Sequence, residues 1–183
     1  MSVTAALRHA MTRLDQRADL PFERLRGNPI ADRLFYTASE AANFSLLWHG
    51  LAWVPVAIAP TPSRVVRAAG TSVALVAESA LVNGPIKSLF RRERPVLNDG
   101  AQRPHRLRVP RTTSFPSGHA TAAAVAVIML GRRRGLVVRL GLAAIGAVVA
   151  SSRVHVRIHH ASDVAGGLAI GYGLGRLLRR ILV

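Results

Sequence analysis

A chain of 183 residues is the size of a single domain. Its 25 Lys and Arg against 9 Asp and Glu give a formal charge of +16, while half of its residues are hydrophobic. No cysteine is present, which excludes thiol nucleophiles, disulfides and cysteine-ligated metals. In a soluble domain this charge would point to nucleic acid. Here the cations sit between long apolar blocks, so the expected partners are a lipid bilayer and its anionic headgroups, with no nucleic acid.

Residues 1–41 carry six arginines and no apolar core long enough for a secretory signal. Val3, Leu7, Ala10, Met11, Leu14 and Ala18 recur at helical spacing, with Arg8, Arg13, Asp15 and Arg17 on other faces. Two readings fit this amphipathic segment: a helix lying on the membrane surface, or a helix packed on its own domain. Pro21 is expected to break it. The segment is set apart from a membrane-embedded unit over residues 42–183.

Five apolar blocks follow, at about Phe44–Ala59, Val65–Ile86, His119–Leu130, Leu136–Ala150 and Val164–Leu178. They lack a polar face, are rich in small residues, and carry arginines at their ends. The fold class expected is all-α: an integral-membrane bundle of about five transmembrane helices with the amphipathic segment before it. Most blocks are shorter than the roughly 20 residues that a span needs, and the third is the weakest. A soluble helical protein is the competing interpretation. Gly167, Gly171 and Gly175 form a small-residue stripe on the last helix, suited to close packing within the chain or against a second copy.

Three short motifs carry the chemistry. Lys87 and Arg94-Pro95 are seven residues apart, nearly two helical turns, which would place both cations on one face of a helix ending near Pro95. Pro116-Ser117-Gly118-His119 precedes an apolar run and reads as a helix start, where free N–H groups and the dipole favour an anion. Ser152-Arg153 is followed by His159 and, four residues later, Asp163. That carboxylate can fix the imidazole tautomer and leave one ring nitrogen free to attack. A rival interpretation takes His155, His159 and Asp163 as a metal-ligand stripe. It leaves Lys87, Arg94 and Arg153 unused beside a dication they would repel. His9, His49, His105, His155 and His160 receive no role from spacing.

With its three motifs in order, each beside an apolar block, the chain resembles the type 2 phosphatidic acid phosphatase superfamily, which also contains vanadium-dependent haloperoxidases. The resemblance covers the chain from about Ala42 onward. It implies a helical bundle and a metal-independent phosphatase without a cofactor. It assigns phosphate binding to Lys87, Arg94, Ser117, Gly118 and Arg153, makes His159 the nucleophile that becomes a phosphohistidine, has Asp163 orient it, and has His119 protonate the leaving oxygen. The implied substrate is a membrane lipid phosphate or diphosphate: phosphatidate, phosphatidylglycerophosphate, polyprenyl diphosphate or a prenyl-phosphoryl sugar phosphate. The short length and five blocks are similar to the decaprenylphosphoryl-5-phosphoribose phosphatases of arabinan cell-wall synthesis. A vanadate-dependent haloperoxidase and a non-catalytic basic membrane scaffold are the alternatives from other classes.

With five spans, the N-terminus and all three motifs share one side of the membrane. That side holds 16 Lys and Arg and the other side nine, or 13 against nine once Lys87, Arg94 and Arg153 are set aside. The positive-inside rule then expects the connection from Ser88 to Phe115 in the cytosol and the Gly131–Gly135 turn outside.

Overall fold

The computed structural model describes residues 3–95, 104–110 and 112–182, and its regular structure there is entirely helical. Seven α-helices follow one another: α1 (Val3–Leu25), α2 (Pro29–Ala41), α3 (Leu46–Ile58), α4 (Pro62–Leu81), α5 (Gly118–Leu130), α6 (Leu136–His155) and α7 (Ala161–Leu182). Local chemistry sets several of their ends. Asn28 caps α2 by accepting from the N–H groups of Ile30 and Ala31, and Pro29 follows at the first helical position. Thr61 and Pro62 start α4 in the same way. All five apolar blocks are helices, namely α3 to α7.

The short α5 is the central post of the bundle. Ala120, Thr121, Ala122, Ala123, Val125, Ala126 and Met129 are all buried, as expected of a helix apolar on every side. Around it, Trp48 of α3, Ala74 and Leu75 of α4 and Val149 of α6 complete the core. The glycine stripe of α7 lies against α5 within the same chain. A Cβ at Gly167 would stand 2.6 Å from the Ser117 carbonyl oxygen, and one at Gly171 would stand 2.4 Å from that of Thr121. Only a residue without a side chain allows this approach.

Two sequence expectations need correction. Pro21 does not break α1, which continues to Leu25. The lost amide donor costs one hydrogen bond, and packing of α1 against α6 and α7 carries the helix through. The helix after α4 does not reach Arg94. Residues Val82–Ile86 form a π-helical turn around Gly84 and Pro85, and helical structure ends just beyond Lys87.

Crossing capacity is narrower than the five blocks suggested. Among the described residues, two helical stretches are long and apolar enough to cross a membrane, Pro62–Ile86 and Leu136–His155. A third crossing arises if α2 and the Asn43–Ile58 helical stretch, bent by 65°, count as one broken span. Helix α5 has only 13 residues, and glycines and Asp163 dilute the apolarity of α7. The connection from Ser88 to Phe115 is described except at residues 96–103 and 111, so Arg103 and Arg111 lie outside the described residues.

Candidate active site

Chain direction brings the motifs together. The C-terminal end of the α4 span, the N-terminus of α5, the C-terminus of α6 and the N-terminus of α7 all meet at one end of the bundle. There Lys87, Gly118, His119, Arg153 and His159 line a single cavity of about 680 Å³ with Glu78, Asn83 and Thr112. Ser117 and Asp163 sit behind its wall, fully buried. Phe44 and Ser45 line the same cavity with φ of 53° and 59°. Left-handed backbone at two residues with side chains costs about 1–2 kcal/mol each, so the fold holds this stretch in place. Arg108 lies over the Phe44 ring, 4.5 Å from its centroid.

His159 belongs to the turn between α6 and α7 and is buried. Its Nε2 faces Arg94 Nη1 at 3.2 Å. A guanidinium only donates, so Nε2 is the acceptor there and the ring proton belongs on Nδ1. Nδ1 looks toward Ser114 Oγ at 3.5 Å and Asp163 Oδ2 at 3.6 Å. The direct His159–Asp163 bond expected from their spacing is therefore loose. The closer partners of Oδ2 are the Ser114 hydroxyl and the His160 N–H at 2.8 Å. Burial first, then the cations Arg153 and Arg94, push the His159 imidazolium down to a pKa of about 3, against the opposing pull of Asp163. The ring is neutral at physiological pH, as a nitrogen nucleophile has to be.

The cations converge by a different route from the shared helix face. Arg94 lies on extended chain and spreads its donors over the carbonyls of Thr112 (3.0 Å), Thr113 (3.1 Å) and Ile158 (3.0 Å). Lys87 Nζ donates to Thr112 Oγ1 at 3.2 Å, and Arg94 Nη2 approaches the same oxygen at 3.3 Å. Thr112 thus ties the two cations together. Burial, then repulsion from Arg94 and Arg153, lowers Lys87 to about 8. Desolvation likewise lowers Arg94.

At the start of α5, Ser117 takes the N-cap position, and its N–H donates to the Asp163 carbonyl at 3.1 Å. Its hydroxyl makes no capping bond and is buried with no hydrogen-bond partner. A buried orphan hydroxyl beside free first-turn N–H groups suits an incoming oxyanion. His119 Nε2 is anchored on the Ser39 carbonyl of α2 at 3.1 Å, leaving Nδ1 for the cavity. Arg153 Nη1 donates to the Ser39 hydroxyl.

The N-terminal helices therefore supply parts of the site that spacing did not reveal. Helix α1 turns Asp15 inward and leaves Met11 and Leu14 exposed. Asp15 accepts from the Ser162 N–H (2.8 Å) and hydroxyl (2.9 Å) and pairs with Arg92. Arg92 Nη1 reaches Asp163 Oδ1 and Ser162 Oγ, both at 2.7 Å. A chain of contacts thus runs Asp15–Arg92–Asp163 to His159. Arg92 lies between the two cations of the first motif, and nothing in that spacing distinguished it from its neighbours. The proposed metal stripe does not converge. His155 Nε2 bonds Asp32 at 2.7 Å, and the ring stacks on Phe35 with centroids 4.5 Å apart.

The chain is similar to proteins of known kind along this framework. It is 37% identical over 93 residues to the decaprenylphosphoryl-5-phosphoribose phosphatase of Mycobacterium tuberculosis, covering 51% of this chain and 49% of that protein. It is 32% identical over 124 residues to that of Mycolicibacterium smegmatis, covering 65% and 64%. The matches thus span about half to two thirds of the length of these relatives. The fold matches that of a transmembrane PAP2-type phosphatidylglycerolphosphate phosphatase from Bacillus subtilis. That match has a TM-score of 0.62 at 22% identity and covers 99% of this chain and 96% of the other. The PAP2 superfamily profile matches residues 66–183, which hold all three motifs. This chain is a member of the PAP2 superfamily.

Proposed function

We propose that the chain is a membrane phosphatase that hydrolyses a phosphomonoester of a lipid through a phosphohistidine at His159. The carrying observation is the cavity that gathers His119, His159, Lys87 and Arg153 while Arg94 marks His159 Nε2 as the unprotonated nitrogen. Lys87, Arg94, Arg153, the Ser117 hydroxyl and the N–H groups at Gly118 surround the phosphoryl oxygens, where charge is spread in the transition state. Nε2 forms the P–N bond as the P–O bond to the lipid alcohol breaks, and His119 Nδ1 passes a proton to that leaving oxygen. Water then attacks the phosphohistidine, gives its proton back to His119, and frees His159 and inorganic phosphate. Asp163, held by Arg92, Ser114 and the His160 N–H, keeps the Nδ1 proton in place. No step requires a metal or another cofactor.

The substrate we favour is decaprenylphosphoryl-5-phosphoribose or a close prenyl-phosphoryl sugar phosphate, by similarity to the mycobacterial relatives. The product would be the corresponding prenyl-phosphoryl sugar, and the role cell-wall synthesis. Polyprenyl diphosphate, phosphatidate and phosphatidylglycerophosphate are the alternatives to be run beside it. Phosphate release from this panel in detergent, with and without chelator, tests the reading. Release of phosphate from the sugar phosphate that survives EDTA supports it. No release from any lipid, or release that needs an added divalent metal, refutes it.

The setting we propose is the cell membrane, with a multi-pass chain and its site on the cytosolic face, and the excess of Lys and Arg toward the site end supports that orientation. The chain has no cysteine, so single cysteines at Leu89 and Gly135 report cleanly. An impermeant thiol reagent on intact cells is expected to label position 135 and spare position 89. The reverse pattern places the site outside.

A further inference from the structure

The opposite end of the bundle holds a second cavity, independent of the phosphatase reading. It is a cleft of about 870 Å³ between α5, α6 and α7. The 13 residues of α5 separate it from the candidate active site by about 20 Å. Its wall is apolar, formed by Ala124, Val127, Ile128, Leu140, Ala143 and Leu168 among others. Six arginines rim it: Arg132, Arg133, Arg134, Arg139, Arg176 and Arg179.

None of those six arginines forms an ion pair among the described residues. The sequence gives them no local candidate, because from Thr112 to the C-terminus its one acidic residue is Asp163, at the other end of α7. Arg132 Nη1 is moreover buried without a hydrogen-bond partner. Six clustered cations with a desolvated donor repel one another unless an anion joins them. Arg176 leans over the Tyr172 ring, 5.9 Å from its centroid, which solvates one face but supplies no negative charge.

We infer that this cleft binds an anionic phospholipid, with its phosphate on the arginine rim and one acyl chain along the apolar wall. The continuity of charge and apolar wall selects a lipid over a free anion, which would leave the wall uncovered. It selects an anionic lipid over a zwitterionic one, whose headgroup adds no net charge to offset the rim. Small side chains at Ala124, Ala143 and Ala147 leave room in the cleft.

The test uses the full chain in nonionic detergent, with native mass spectrometry of dioleoyl phosphatidylglycerol and of dioleoyl phosphatidylcholine. Phosphatidylglycerol is expected to be retained about tenfold better or more. Replacing Arg132, Arg139 and Arg176 together by Gln is expected to remove that preference and leave phosphate release unchanged. Ala143→Trp, which keeps all six arginines and fills the cleft, is expected to lose the lipid as well. The His159→Ala variant is expected to keep it, which separates the cleft from the phosphate site. Four results would overturn the inference. They are equal retention of the two lipids, a preference that survives both cleft variants, displacement of phosphatidylglycerol by water-soluble glycerol phosphate, and a cleft occupied by a second copy, seen as a dimer lost in the variants without change in lipid binding.

Discussion

The two ends of this bundle are both rich in cations, and they differ in what the cations meet. At the site end Lys87, Arg92 and Arg94 are each committed. Arg92 is shared by Asp15, Ser162 and Asp163, Arg94 is spread over three carbonyls and His159, and Lys87 rests on Thr112. At the far end six arginines rim a cleft that no carboxylate side chain lines among the described residues. Fixed donors stabilise a transition state because they need no reorganisation as charge develops. Unpaired, mostly exposed arginines can follow a headgroup but cannot hold reacting atoms in register. On the roles proposed above, the same residue type would serve chemistry at one end and attachment at the other, and the partner groups make the difference.

Breaking that contrast begins at His159. His159→Ala should lower turnover by roughly 10³–10⁵-fold, because the proposed mechanism routes the phosphoryl group through this ring and gives His119 the role of acid. His119→Ala should cost less on a substrate with a good leaving group than on a lipid alcohol, since acid assistance matters less there. Steady-state kinetics on paired substrates checks both. Comparable turnover in wild type and His159→Ala would remove the site from this end of the bundle.

The Asp15–Arg92–Asp163 chain should show the next largest effect. Arg92→Gln is expected to reduce kcat by about 10–100-fold with little change in KM, because it loosens the carboxylate behind the nucleophile without touching substrate. Asp15→Asn should act in the same direction and more weakly, and Arg92→Lys should recover part of the loss. A rise in KM at constant kcat would instead make Arg92 a substrate contact.

A pH profile sharpens the comparison further. Lys87 is charged below its lowered pKa of about 8 and loses its proton as pH rises through that value. The profile of kcat/KM should therefore fall on the alkaline side as His119, which acts in its protonated form, and then Lys87 give up their protons, and Lys87→Arg should move upward the part of that limb near pH 8. His159, neutral above about 3, should contribute no acid limb in the working range. The smallest effect on chemistry belongs to packing. Gly171→Ala forces a Cβ against the Thr121 carbonyl oxygen and should destabilise the fold by about 1–3 kcal/mol. Thermal unfolding in detergent measures it.

The proposed reacting groups can be picked out of the sequence because their spacing is local. Pro116 to His119 reads as a helix start, and His159 to Asp163 as one turn. What supports them was not legible, because it comes from afar. Asp15 and Arg92 are 77 residues apart, and Ser39 and Arg153 are 114 apart. Periodicity in α1 tells which residues share a face but not which face turns inward, so it sets Asp15 apart from the apolar stripe without revealing its burial. The reach from Lys87 to Arg94 is not a helix because the chain makes a π-helical turn around Gly84 and Pro85 just before Lys87, which the seven-residue spacing does not reveal. Five apolar blocks were read correctly as helices, yet 13 residues in α3 and in α5 do not by themselves make a crossing.

The central claim is that phosphate passes through His159, and trapping the intermediate tests it most directly. A lipid substrate with labelled phosphate is mixed with the full chain, quenched within one turnover, and digested for mass spectrometry. The account predicts acid-labile phosphate on the peptide holding His159, absent in His159→Ala. Steady turnover with no labelled histidine, or label on any other residue, would contradict it.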